Sequence, residues 1–168
     1  TIWGGECIRI TAAGWVRVAH LAPFRLPGDE VAVREPRRAA IALLHEIFGA
    51  AWATMTDLPP VASFTGAERR VLSAMLEKGV NAPVATSAGR LFDAVAAILG
   101  LIQKTSFEGQ AAAALESVAD DIAPLPPYRF ALRSSSADTP LELDWRPAIA
   151  GIVADIRAGI AANRIASA

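Results

Sequence analysis

Residues 87–99 read SAGRLFDAVAAIL, and only Arg90 and Asp93 carry charge in that run. Ser87 suits a helix N-cap, no proline interrupts the stretch, and Gly100 follows as a stop. The pattern predicts a helix opening at Thr86 or Ser87 and ending at Gly100. Nearly every other position is apolar or alanine, and a helix apolar on all sides belongs in an interior. Asp93 is therefore expected in or beside a core, where it has two alternative roles. At i,i+3 spacing it can pair with Arg90, a helix-surface contact contributing about 0.2–0.5 kcal/mol. Alternatively, the carboxylate sits at a pocket edge and accepts hydrogen bonds from a ligand hydroxyl.

Just beyond this helix, residues 106–110 read SFEGQ. A glycine at a helix mouth lets a ligand approach free backbone N–H groups, and those donors favour anionic or polar oxygens. Glu108 suits the positive end of the helix dipole. Gly109 and Glu108 are thus candidates either for ligand contact or for plain N-capping of a helix expected over 108–122.

The flanking sequence supplies the frame. Residues 1–10 and 15–24 are rich in Ile, Val and Trp around Ala12-Ala13-Gly14, which predicts a β-hairpin within residues 1–25. A turn-rich link over 23–30 leads to a helix from Pro36 to Phe48, stopped by Gly49. Leu58-Pro59-Pro60 reads as a loop. Thr65-Gly66-Ala67-Glu68 is a capping box, opening a helix that runs to Lys78 and stops at Gly79. After Pro124-Leu125-Pro126-Pro127, short strands are expected at 128–132 and 141–143, forming a second hairpin within 128–144. Asp144 then caps a terminal helix reaching Ala158, and 145–168 is helical. The order is hairpin, helical block (34–122), hairpin, helices, so the class is α+β or α/β.

Sixteen Lys and Arg against seventeen Asp and Glu leave a net charge of −1. That balance excludes a chain built to coat nucleic acid or an anionic membrane. The chain is 53% hydrophobic, which excludes disorder. Mean hydropathy is high, at +0.35, yet every apolar run is broken well short of the roughly 18–20 residues a membrane span needs. A single cysteine, Cys7, excludes an internal disulfide and any multi-cysteine zinc site, and fits a reducing compartment; it is expected as a packed strand residue. His20 and His45 show no H-x-x-x-H or H-E-x-x-H spacing, so no metal is assigned to them. Walker, G-x-G-x-x-G and G-x-S-x-G signatures are absent. Arg34, Arg37 and Arg38 cluster at a helix start, where cations are unfavourable; either Asp29, Glu30 and Glu35 neutralise them or an anion does.

Three stretches together resemble one family: TIWGGE at 1–6, LPGDEVAVREPRRAAIALL at 26–44, and TSAGRLFDAVAAILGL at 86–101 followed by SFEGQAAAALE at 106–116. They look like the carbamoyltransferase HypF, a maturation factor for [NiFe] hydrogenases. The resemblance runs over essentially the whole chain. Departures are confined to 26–37: the family's LPGGD stands here as LPGDE, and Arg37 replaces the tryptophan of its REPW. The resemblance implies the middle of a C-terminal Kae1-like domain of actin/Hsp70 ATPase architecture, with both ends expected to be cuts in a longer protein.

The resemblance implies that the full-length protein uses carbamoyl phosphate and ATP to form a carbamoyl-adenylate. The carbamoyl group then passes to the C-terminal cysteine of a HypE-like partner. By this resemblance Asp93 accepts from ribose hydroxyls, Gly109 permits close approach of the nucleoside, and Glu108 is a second contact. No catalytic residue is expected within the chain, and the family's metal ligands are expected outside it. A cytoplasmic location and no membrane or nucleic-acid partner are implied. An isolated piece would be inactive and, with cut faces exposed, would self-associate. A different expectation is a non-catalytic protein-interaction module of a Kae1-like protein, using the Arg34–Arg38 helix or the cut faces. A stand-alone Kae1-like tRNA-modification protein is disfavoured, because WGGE and LPGDE…REP resemble HypF.

Overall fold

The computed structural model describes residues 2–119, 125–134, 136 and 139–168. Its centre is one helix, α2 (Pro36–Phe48), started by Pro36 at its first turn and ended by Gly49. Every residue from Ala39 to Leu44 on it is fully buried. Alanines at 39, 40 and 42 let neighbouring backbones approach, while Ile41, Leu43 and Leu44 fill the space between them. Against α2 lies α5 (Ala88–Ile98), whose Ala94, Ala97 and Ile98 join the same core. The interior reading of that helix holds on all sides but one: Phe92 is exposed.

The N-terminal hairpin forms from β1 (Glu6–Thr11) and β2 (Gly14–Leu21), with a register irregularity between Cys7 and Ile8. Cys7 is exposed rather than packed, because β1 is a sheet edge whose outer faces are uncovered. Next, β3 (Phe24–Arg25), at the junction of the expected hairpin and link, pairs antiparallel with β4 (Val84–Ala85), for which no strand was expected. Helix α1 (Glu30–Arg34) occupies part of the expected link. Gly28 and Asp29 both take positive φ there, so the turn tightens enough to start a helix ahead of Pro36.

A 3₁₀ turn (Gly49–Thr54) and α3 (Pro59–Ala62) follow. Pro59 and Pro60 stand in the first turn of α3, where their missing N–H groups cost nothing; the expected loop is therefore a short helix. Helix α4 (Gly66–Lys78) carries the full capping box and ends on Gly79 in the left-handed conformation. Helix α6 (Gln110–Val118) starts two residues later than expected. It ends at Val118, short of the expected 122, because Ala119 turns to extended backbone; residues 120–124, with the break at Pro124, lie outside the described residues.

Strands β5 (Ala131–Arg133) and β6 (Leu141–Asp144) pair antiparallel; Tyr128 precedes the strand and instead donates to Asp155 at 2.6 Å. Strand β6 also runs parallel to β2, giving one four-stranded sheet in the order β1-β2-β6-β5. The two hairpins are thus one sheet. Helix α7 (Arg146–Arg157) leaves it through Asp144, whose carboxylate accepts the Arg146 N–H at 3.1 Å across the N-cap Trp145. Trp145 is fully buried, donates from Nε1 to the Ala22 carbonyl at 2.7 Å and meets Phe24 edge-to-face. A short α8 (Ala162–Ala166) closes the described chain.

Candidate functional site

Two of the quoted sequence stretches meet at the start of α5. The Thr86 N–H donates to the Ile2 carbonyl at 2.8 Å, and its hydroxyl donates to Glu6. A Cβ on Gly5 would overlap the Thr86 carbonyl, so only glycine allows this approach. Ser87 caps α5 by accepting from the Arg90 N–H. The capped first turn then fixes the direction in which Arg90, and Asp93 three residues on, project.

Both side chains are buried, Arg90 at 7% exposure and Asp93 at 6%. Arg90 donates from Nη1 to the Val33 carbonyl of α1 at 3.1 Å. The same nitrogen stands 2.6 Å from Asp93 Oδ2. This is a close, buried ion pair whose angle is not that of an aligned hydrogen bond, so Arg90 is the one described partner of the Asp93 carboxylate. No other described side chain or backbone N–H donates to Asp93. Burial raises its pKa above the ordinary aspartate value, and the charge of Arg90 opposes the rise only in part. A carboxylate taken from water and left short of donors is costly for folding and ready to bind hydroxyls.

Asp93 lines a cleft of about 440 Å³ together with Arg34, Arg90, Phe107, Glu108 and Gly109. The far wall is the loop between α5 and α6, held in three places. Its Thr105 N–H donates to the Arg34 carbonyl at 2.9 Å, Gln103 Nε2 donates to Ala97 at 2.9 Å, and the Ser106 N–H donates to Gln110 Oε1 at 2.7 Å. Gly109 sits at φ 80° as the residue before α6, and no side chain caps that helix. Among the described residues nothing lies within 4 Å of where a Cβ on Gly109 would be. Gly109 is itself the N-cap, its carbonyl accepting the Ala113 N–H at 3.0 Å, so the capping role expected at this mouth is present and leaves the cleft side of the glycine open.

All three residues singled out from the sequence, Asp93, Glu108 and Gly109, thus line one cleft. Glu108 lies ahead of α6 rather than in its first turn. Arg34 and Phe107 were not assigned to the cleft from sequence. Their only sequence signal is adjacency to the REP and EGQ stretches, because the cleft assembles from three separate segments. His20 Nδ1 lies 2.9 Å from the Leu21 carbonyl, on the sheet, and His45 is on α2; neither reaches the cleft. Among the described residues no group of three or more His, Cys, Asp and Glu is placed to hold a metal ion.

The family profile described as "Carbamoyltransferase, Kae1-like Domain, second subdomain" matches residues 1–168. The chain belongs to the HypF carbamoyltransferase family. It is 37% identical over 170 residues to the carbamoyltransferase HypF of Synechocystis, covering 94% of this chain and 22% of that protein. To HypF of Rhodobacter capsulatus it is 43% identical over 127 residues, 75% of this chain and 16% of that one. A solved full-length HypF, described as the phosphate- and nucleotide-bound form, superposes with a TM-score of 0.83 at 25% identity, over 98% of this chain and 24% of that chain. HypF of T. kodakarensis shares the fold, with a TM-score of 0.75 at 24% identity over 98% of this chain and 21% of that chain. The chain therefore spans about a quarter or less of these HypF relatives, and its mixed helix-and-strand architecture is that of a HypF Kae1-like domain.

Proposed function

We propose that this chain forms the nucleotide-side wall of a HypF-type carbamoyltransferase. One observation carries the proposal: Asp93 lines a cleft, and apart from its ion pair with Arg90 no described group donates to its carboxylate. Two vicinal ribose hydroxyls are donors of the kind it lacks. The open space beside Gly109 admits the nucleoside against the start of α6, and Glu108 at the rim is a second acceptor. The relative solved with nucleotide bound has this fold, which supports the proposal.

In the full-length protein, ATP and carbamoyl phosphate are the proposed substrates. A carbamoyl-adenylate is the proposed activated form, and the C-terminal cysteine of a HypE-like protein is the proposed acceptor. The residues described here bind and orient; the groups that stabilise transfer, including any metal ligands, are assigned to other parts of the protein. No helix among the described residues is long and apolar enough to cross a membrane, and a cytoplasmic location is part of the proposal.

Calorimetric titration of ATP and ADP into the full-length protein and into the isolated chain tests this. Saturable binding to the full-length protein is expected, together with no carbamoyl transfer or ATPase turnover by the isolated chain, because transfer needs all its stabilising groups in place. Full-length protein that binds no adenine nucleotide once its other nucleotide sites are disabled would overturn it.

A second role, as an interaction module, is favoured by the hairpin. Ile10 and Trp15 face each other across β1 and β2 and are 81% and 75% exposed, with Trp3 and Ile8 also exposed. An apolar strand face of this kind marks a contact surface. Sedimentation of the isolated chain is expected to report concentration-dependent self-association, which Trp15→Ser reduces.

A further inference from the structure

The sequence presents Arg34, Arg37 and Arg38 as one basic cluster, but the structure divides it. Arg38 Nε donates to Glu35 Oε2 at 2.7 Å and Arg37 Nη2 does so at 3.2 Å. Arg37 also donates to the Ser63 carbonyl at 2.8 Å and lies over the Phe64 ring at 4.1 Å. Lys104 stands 3.5 Å from the other oxygen of Glu35. One carboxylate thus gathers three cations and leaves out the nearest in sequence. Arg34 is exposed, and no described carboxylate lies within ion-pair distance of it. It lines the Asp93 cleft instead, beside a loop tied to its own carbonyl at 2.9 Å. Asp93 and Glu108 line that cleft too, so it presents acceptors for hydroxyls and, in Arg34, a cation not engaged by the protein. Arg90, the other cation there, is already paired.

Resting on the nucleotide reading above, we infer that Arg34 contacts the phosphoryl groups of the ligand whose ribose Asp93 receives. A guanidinium presents a planar fork of donors matched to phosphate oxygens. The cleft then discriminates nucleotides from nucleosides through Arg34 and recognises the sugar through Asp93.

The test titrates adenosine, ADP and inorganic phosphate separately into the full-length protein as wild type, Arg34→Met and Arg34→Lys, with thermal melts to show each variant folded. Arg34→Met is expected to weaken ADP at least about tenfold, the scale of a lost charge-assisted contact, and to leave adenosine unchanged; Arg34→Lys retains part of the ADP affinity. Equal weakening of ADP and adenosine, or of neither, overturns the inference. So does Arg34-dependent phosphate binding that ADP does not displace, which would assign the residue to a separate anion. If wild type binds neither adenosine nor ADP, the nucleotide reading itself fails and the inference falls with it.

Discussion

Two arginine–carboxylate sites, one half-buried at the start of α2 and one buried on α5, differ in how many donors the carboxylate receives. At the start of α2, Glu35 receives Arg37 and Arg38, while Arg37 is further held by the Ser63 carbonyl and the Phe64 ring. Burial alone would raise the Glu35 pKa. The hydrogen bond from Arg38 and the charges of Arg37 and Arg38 outweigh it and hold the carboxyl below its ordinary value. On α5, Asp93 has one misaligned partner, and burial wins: its pKa is raised. The same two residue types make a many-handed joint in one place and a single ion pair, with acceptor capacity to spare, in the other. Donor supply decides which. A carboxylate with its donors inside the fold stabilises the fold; one that lacks them costs stability and is available to a ligand.

The contrast breaks most visibly by removing Glu35. Glu35→Gln withdraws the shared anion from beneath a buried Arg37 and is expected to cost about 2–4 kcal/mol of stability, with the nucleotide affinity of the folded protein nearly unchanged. Urea unfolding and an ADP titration check the two halves.

Gly109→Val sharpens the ligand side. At φ 80° a β-branched residue is strained by about 1–3 kcal/mol, and its side chain would enter the open space of the cleft. A loss of nucleotide affinity of about tenfold or more is expected beyond the stability cost, separable by titrating below the variant's melting range.

Acid titration gives a smaller effect with a definite sign. Glu35, lowered from 4.5, contributes stability above that pH which is lost as pH falls through its folded value. Asp93, raised from 3.8, favours folding when protonated, and that contribution is lost as pH rises through its folded value. Stability differences between wild type and Glu35→Gln, and between wild type and Asp93→Asn, should therefore change with pH in opposite directions. Parallel slopes in melts across the acid range would remove the distinction between the two sites.

What the sequence disclosed, and what it withheld, follows from the range of the interactions. Helix ends set by local chemistry were legible: Pro36 and Gly49 bound α2, Thr65 and Glu68 open α4, and Gly79 ends it. Asp93 was legible as the one acid on an otherwise apolar helix. The parallel pairing of β2 with β6 was not, because it joins strands separated by every helix of the central block. Helix α1 was hidden by its dependence on Gly28 and Asp29 at positive φ, which composition reads as a turn. Pro59-Pro60 signals a loop and a helix start equally, and the fold chose the helix. Arg34 could not be separated from Arg37 and Arg38 by sequence, since all that distinguishes it is which of them Glu35 reaches.

If the Asp93 carboxylate serves a ligand as well as Arg90, as proposed above, titration of a non-hydrolysable ATP analogue into full-length wild type and Asp93→Asn will show it. Asparagine keeps the size and one acceptor oxygen but removes the charge. A ten- to hundredfold loss of affinity is expected, about 1.5–3 kcal/mol for hydrogen bonds to a charged acceptor, with a stability change below about 1 kcal/mol because the burial cost of the ionised group disappears with its ion pair. Unchanged affinity accompanied by a clear fall in melting temperature would contradict it and make Asp93 a structural partner of Arg90.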